Sequence, residues 1–274
     1  PIVVKADGLA SGKGVVVAQT TQEALQAVQS CFSGAFGASG SEIVIEEFLQ
    51  GEELSFFCLC DGERALAFGA AQDHKRVGEN DTGANTGGMG AYSPPYFFTK
   101  ELETTIMEEI ALPTLKGMAK EGAPFRGILF LGLMLTKEGV FVIEYNVRFG
   151  DPECQILMML LEGDVLPFFI AAAQGKLENM KPEWKKQSAI TIVFAAKGYP
   201  EKPQTGTVIH NLAALQGQPH LQIFHGQTKY QDGHLVANGG RVLYITAAGD
   251  DIEHARSAAY EAIKKIDWPE GFYR

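Results

Sequence analysis

The chain has 274 residues, 46% hydrophobic and 20% charged, ordinary for a globular protein with a sizeable core. Its formal net charge of −10 argues against a general nucleic-acid-binding surface, which would be basic. No apolar run reaches the roughly 18 residues of a membrane span and no signal peptide is visible, so no membrane partner is expected.

Four cysteines, Cys31, Cys58, Cys60 and Cys154, form neither paired CxxC motifs nor a tight even framework. A reduced cytoplasm is the expected compartment. The first residues, PIVVK, read as a β-strand ending at Lys5 without an initiator Met. A fragment of a longer protein is expected.

The loop ADGLASGKG follows, then a second strand over residues 15–18. Gly8, Gly12 and Gly14 with Lys13 make a loop rich in backbone N–H groups, able to cradle an anion. It is not a Walker A loop: three residues separate its glycines, Gly14 follows Lys13, and a strand comes next. A mobile hairpin loop fits the same residues. Thr20 and Glu23 form a capping box that starts a helix, with Ala24, Leu25, Val28, Cys31 and Phe32 on its apolar side. The strand 43–45 then leads into EEFLQGEE. An extended linker there exposes backbone groups able to pair with an adenine edge, and Glu53 can accept from ribose hydroxyls. An acidic, solvated connection is the plainer alternative.

SFFCLC and RALAFGAA flank an Asp61–Gly62 turn, a hairpin signal. The second strand runs into the charged cluster Gln72–Asp73–His74–Lys75–Arg76 and then a long loop with five glycines between Gly78 and Gly90. Long unstructured loops in compact domains are often functional, and basic groups beside glycines suit a phosphorylated substrate. Residues 99–122 have helical periodicity, with Leu102, Ile106, Ile110, Leu115 and Met118 facing inward and Pro113 kinking or splitting the helix. Two apolar runs, 127–135 and 140–144, form a hairpin across TKEG.

In the extended stretch EYNVRFGDPE, period-two alternation puts Glu144, Asn146 and Arg148 on one side. A carboxylate, an amide oxygen and a guanidinium there suit Mg²⁺ completed by phosphate oxygens; a solvated edge strand is the alternative. Asp151 reads as a helix N-cap and Pro152 as the first helical position. A helix over 152–161 and another from Asp164 to near Gly175 follow. After the polar linker KPEWKK the texture changes to strands with Gly/Pro turns, closed by an amphipathic helix over 251–266. His210, His220, His225 and His234 lack metal-ligand spacing.

Taken in order, PIVVKADGLASGKGVVVA, VIEEFLQGEELS, QDHKRVGENDTGANTGGMGAYSP and EYNVRFGDPECQ resemble the phosphoribosylamine–glycine ligase family of ATP-grasp enzymes; KGYP and NGGRVL extend the similarity over essentially the whole chain. The resemblance implies an α+β ATP-grasp fold, two α+β subdomains clamping ATP, followed by a small mixed β/α module. The implied division is 1–50, the small lid subdomain; 51–175, the large subdomain; and 176–274, the C-terminal domain.

The implied activity is an ATP-dependent ligase of purine biosynthesis that joins glycine to 5-phosphoribosylamine, giving glycinamide ribonucleotide, ADP and phosphate through glycyl phosphate. Lys5 would contact ATP phosphates beneath the Gly12–Lys13–Gly14 loop. Glu46, Glu47, Phe48 and Leu49 would form the adenine hinge, and Glu53 would bind ribose. Glu144 and Asn146 would hold Mg²⁺ or Mn²⁺, and Arg148 with Lys5 would be catalytic. Asp73, His74, Lys75 and Arg76, with Asn85, Gly87 and Gly88, would face glycine or phosphoribosylamine. The family has a further N-terminal domain with an earlier phosphate-contacting lysine, so this fragment alone is expected to be inactive and the full-length enzyme monomeric. Another ATP-grasp carboxylate–amine ligase, or a catalytically silent nucleotide-binding module, are the competing expectations.

Overall fold

The computed structural model describes residues 1–10 and 14–274. The chain forms two compact units: Pro1–Glu52 with Thr136–Glu138, and Glu53–Leu135 with Gly139–Arg274. Among the described residues no helix is long and apolar enough to cross a membrane.

The first unit holds an antiparallel sheet in the order β2–β1–β3, from β1 (Ile2–Ala6), β2 (Val15–Ala18) and β3 (Ile43–Glu47), with helix α1 (Thr21–Phe32). Thr20 caps α1: its Oγ1 accepts from the Glu23 N–H at 3.2 Å, while Glu23 Oε2 accepts from the Gln19 N–H at 2.8 Å. The core face agrees in part with the expected one, Cys31 being buried and Ala24 and Val28 half-buried. Ala27 and Cys31 are buried with Val4 and Ala18, whereas Leu25 and Phe32 are 58% and 59% exposed. A three-stranded sheet covers only a narrow stripe of a helix, and the small side chains at 27 and 31 allow that close approach.

The second unit is built on a nine-stranded sheet. It contains β4 (Glu52–Asp61), β5 (Ala65–Asp73), β8 (Gly90–Ser93), β9 (Arg126–Thr136), β10 (Gly139–Asn146), β11 (Ser188–Ala196), β12 (Leu221–His225), β15 (Arg241–Gly249) and β16 (Gly271–Phe272). The order is β10–β9–β4–β5–β8–β11–β15–β12, with β16 beside β11. Two small hairpins stand apart, β6 (Arg76–Gly78) with β7 (Thr82–Asn85) and β13 (Thr228–Gln231) with β14 (His234–Ala237). The sheet continues from β8 into β11, so no break in it marks the division drawn at Gly175.

Strand β4 is buried on both faces, which is why it reads as the unbroken apolar run SFFCLC rather than as an alternation. Leu54, Phe56, Cys58 and Cys60 pack with Ile106, Leu115, Leu131 and Leu133 on one side. On the other, Phe57 meets Phe130 and Leu157, and Leu59 meets Phe68 and Phe168. Full burial of each such side chain contributes about 1.5–3 kcal/mol.

The helical stretch near residue 110 is one rod in three parts, α2 (Lys100–Ile106), a π-helical turn (Met107–Ala111) and α3 (Leu112–Lys120). The helix divides just before Pro113, in line with the expected split, although the chain stays helical through the proline. The proline stands in the first turn of α3, where its missing N–H is least costly, and the wider turn before it lets the Leu112 N–H reach back to the Met107 carbonyl. Beyond it lie α4 (Glu153–Leu160), α5 (Leu166–Gln174) and α6 (Ile252–Ile263). Gly175 ends α5 at φ +74°, and Asp251 caps α6 through the His254 N–H at 2.9 Å.

Candidate functional site

Strand β10 carries Glu144 and Asn146 on the same face, and Asn146 Nδ2 donates to Glu144 Oε1 at 3.2 Å. Opposite on β9 stands Gly132, where an added Cβ would lie 2.9 Å from Glu144 Cγ; the glycine makes room for the carboxylate. The alternation expected through Arg148 stops early. The strand ends at Asn146, and the Arg148 guanidinium turns to donate to the Phe149 carbonyl at 2.7 Å. Two oxygen-bearing side chains therefore share a face, and the third group does not belong to that strand.

Glu144 lines a narrow cleft with Glu53, Ser55, Asp73, Lys75, Phe130 and Gly132. Glu53, expected at ribose, carries its Oε2 2.5 Å from the Lys75 ammonium. Burial alone would lower the proton affinity of Lys75, but the carboxylates of Glu53, Asp73 and Glu144 outweigh it and hold the lysine charged. Burial and the Glu153 carboxylate push Asp73 well above the usual carboxyl range, against the pull of Lys75 and Arg241. Glu153 is itself 3% exposed and raised by burial, while Ser55 Oγ donates to its Oε1 at 2.8 Å. Burial, then Arg274, lowers His74, whose ring stacks on Tyr92.

The glycine-rich segment folds back over this cluster. Thr86 Oγ1 donates to the Lys75 carbonyl at 2.7 Å and accepts from the Gly88 N–H at 3.0 Å. The Met89 N–H donates to the His74 carbonyl at 2.8 Å. Gly88 has φ +115°, and a Cβ there would lie 2.5 Å from Pro152 Cδ and 2.6 Å from Asp73 Oδ1. Arg241 Nη1 donates to the Gly87 carbonyl at 2.7 Å, and the Gly87 N–H donates to Tyr199 Oη at 3.2 Å. The expected unstructured loop is thus partly a hairpin, with Arg76 opposite Asn85. Arg76 is exposed and donates to the Gly83 carbonyl at 2.9 Å. Arg274 Nη1 holds this hairpin by donating to the Arg76 carbonyl at 2.8 Å and to Asp81 Oδ1 at 3.0 Å.

Asp151 does not cap a helix, as its position had suggested. Pro152 is the N-cap of α4 and the helix proper begins at Glu153. The Asp151 carboxylate instead accepts from Arg241 Nη2 at 3.2 Å and Tyr244 Oη at 2.9 Å. Ser55, Glu153, Tyr199, Tyr244, Gly132 and Arg274 were not among the expected site residues. Ser55, Glu153 and Tyr199 lay inside quoted motifs, as did Arg241, and Gly132 lay in an apolar run; Tyr244 and Arg274 carry no local signal.

In the first unit, the Lys5 ammonium lies 2.5 Å from Glu46 Oε2 across paired strands. Glu46 and Glu47 belong to β3 rather than to a linker; Phe48 and Leu49 follow its end. The Gly14 carbonyl accepts from the Ala6 N–H at 2.8 Å. Gly12 and Lys13 lie outside the described residues.

A carboxylate and an amide oxygen on one face form an oxygen donor set, which suits a hard divalent cation completed by phosphate oxygens. Among the described residues no cluster of three or more His, Cys, Asp or Glu could hold a metal by itself. The residues present fit a cation shared with a phosphorylated substrate.

The family model "Phosphoribosylglycinamide synthetase, ATP-grasp (A) domain" matches residues 1–154, and "Phosphoribosylglycinamide synthetase, C domain" matches residues 189–274. The whole chain is 59% identical to a phosphoribosylamine–glycine ligase of Brucella melitensis, covering 64% of that protein. It is 53% identical to a chloroplastic phosphoribosylamine–glycine ligase of Arabidopsis thaliana, covering 52% of it. Among solved structures, the phosphoribosylamine–glycine ligase of Thermotoga maritima superimposes with a TM-score of 0.89 at 36% identity, over 100% of this chain and 68% of that one. The biotin carboxylase domain of a Hydrogenobacter thermophilus 2-oxoglutarate carboxylase, determined with MgADP and bicarbonate, shares the fold alone, at TM-score 0.71 and 15% identity, over 100% of this chain and 58% of that one. The expected α+β ATP-grasp fold is therefore the fold of the chain, which spans somewhat less than two thirds of the Brucella relative. The chain belongs to the phosphoribosylglycinamide synthetase family and carries its ATP-grasp (A) domain and its C domain.

Proposed function

We propose that this chain forms part of an ATP-dependent ligase that joins glycine to 5-phosphoribosylamine, giving glycinamide ribonucleotide, ADP and phosphate. The observation that carries the reading is the meeting of two distant motifs, QDHKR and EYNVRFGDPE, at one cleft lined by Asp73, Lys75 and Glu144. Membership of the family and 59% identity to a named ligase support it.

In this reading the glycine carboxylate attacks the γ-phosphorus of ATP, ADP leaves, and the amine of phosphoribosylamine then displaces phosphate from glycyl phosphate. Such chemistry is mostly positioning and charge neutralisation. Glu144 and Asn146 would hold Mg²⁺ or Mn²⁺, which supplies positive charge against phosphate oxygens. Arg148 contributes a guanidinium to the transferring group once released from the Phe149 carbonyl. Lys75, kept charged by Glu53, stabilises anionic oxygens in the cleft. Asp73, His74, Arg76, Asn85, Gly87 and Gly88 are assigned to the two substrates. On the first unit Lys5 and Gly14 are assigned to ATP phosphates, and Glu46 to Leu49 to adenine; Gly12 and Lys13 join them by resemblance alone. Glu53 is assigned to ribose, with Lys75 as its partner in the cleft. We retain the division at residues 50 and 175, a monomeric full-length enzyme and a cytoplasmic setting as parts of the same proposal; the free cysteines support a reducing compartment.

The test is ATP turnover by the full-length protein. Turnover is expected only when glycine and phosphoribosylamine are both supplied, and glycine labelled with ¹⁸O in its carboxylate should yield labelled phosphate. Unlabelled phosphate with normal product formation would rule out the acyl-phosphate route.

A further inference from the structure

We propose that Asp73 receives the ammonium group of the amino-acid substrate. This rests on the ligase reading and assigns to one residue a role that reading leaves to a whole segment. Asp73 Oδ1 is buried and accepts no hydrogen bond from any described residue. A buried carboxylate oxygen without a donor is costly, and an orphan of this kind points to a donor brought by a ligand.

The charge around it identifies that donor. The other charged groups lining the cleft are Glu53, Lys75 and Glu144. Lys75 is already committed to Glu53 at 2.5 Å, and the nearby Arg241 guanidinium donates to Gly87 and Asp151, which leaves Asp73 and Glu144 without a hydrogen-bonded cation. With Glu144 assigned to a metal, Asp73 is left for an organic cation. Its carboxyl is pushed up by burial and by Glu153, and a bound ammonium would relieve that.

Position completes the argument. Asp73 and Glu144 line one cleft, so a molecule with its ammonium at Asp73 can present its carboxylate toward Glu144, where phosphoryl transfer is assigned. Backbone closes on both carboxylates as tightly as glycine allows. A Cβ on Gly88 would meet Asp73 Oδ1 at 2.6 Å, and one on Gly132 would meet Glu144 Cγ at 2.9 Å.

The experiment uses full-length protein, with glycine and with glycolate, which keeps the carboxylate and replaces the ammonium by a hydroxyl. Calorimetry on the unmutated protein should show glycine binding about 10- to 100-fold tighter than glycolate, the range expected for one charged hydrogen bond. In Asp73→Asn the glycine KM should rise by a similar factor, the affinity for glycolate should hold, and the KM for ATP should stay within about twofold. Equal binding of glycine and glycolate to the unmutated protein overturns the proposal even if the variant does not fold. Glycine-dependent turnover with an unchanged glycine KM in Asp73→Asn overturns it while the ligase reading stands. A shifted Mg²⁺ requirement with constant glycine KM also overturns it, by assigning Asp73 to the metal. Turnover independent of glycine removes the ligase reading, and this inference with it.

Discussion

Arg241 grips Asp151 twice, through Nη1 to the backbone carbonyl at 2.5 Å and through Nη2 to Oδ2 at 3.2 Å. The same Nη1 reaches the Gly87 carbonyl, so one guanidinium joins the glycine-rich segment to the stretch following the Glu144 strand. A lysine at this position offers a compact charge without the fork. Arg241→Lys is expected to cost about 1–3 kcal/mol of stability and to speed amide exchange around Gly87 and Gly88. Chemical denaturation and hydrogen exchange would measure both. Unchanged exchange would show that Arg241 does not hold the segment.

Removing the charge of Glu144 tests the cation site. Glu144→Gln keeps size and shape on an exposed strand position, so stability should hold within about 0.5 kcal/mol. Turnover by the full-length protein should fall by about a hundredfold or more. Near-normal activity at ordinary Mg²⁺ concentrations would refute the metal assignment.

Gly132 gives a test of the same carboxylate without touching it. In Gly132→Ala the new methyl meets Glu144 Cγ at 2.9 Å and must displace it. Divalent-cation affinity, read by Mn²⁺ titration, should weaken by roughly tenfold, as when a group that orients a ligand is lost. An unaltered Mn²⁺ affinity would mean the glycine is there for some other reason.

Asp61 supplies a pH-dependent prediction. Burial alone would raise its carboxyl, but the N–H groups of Arg64, Glu63 and Leu177 outweigh burial and hold it below its usual value. Its folded value being depressed, the stabilisation is present above the unfolded value of about 3.9 and is lost as pH falls toward the folded one. Asp61→Ala should therefore cost about 2–3 kcal/mol near neutral pH, with the gap to the unmutated protein narrowing below about pH 4. A pH-independent difference in unfolding free energy would count against this carboxylate.

What the sequence by itself determined was local. Glu144 and Asn146 share a face because a strand alternates with period two, and the Asp61–Gly62 turn, the Thr20 cap and the Gly175 helix stop follow from the chemistry of a few adjacent residues. The burial of β4 on both faces was legible in its unbroken apolar run. The tertiary structure alone decided where polar groups turn when a partner arrives from far along the chain. Asp151 reads as a cap, yet Arg241 and Tyr244, about ninety residues on, take its carboxylate because the fold brings a guanidinium and a phenol to it. Arg148 leaves its expected face because β10 ends at Asn146. Glu53 turns to Lys75, and the buried Glu153 to Ser55, because the fold brings those partners within hydrogen-bond reach. Alternation and capping act within a few residues, whereas charge pairing is settled by proximity in space, which a nine-stranded sheet creates between residues far apart in the chain.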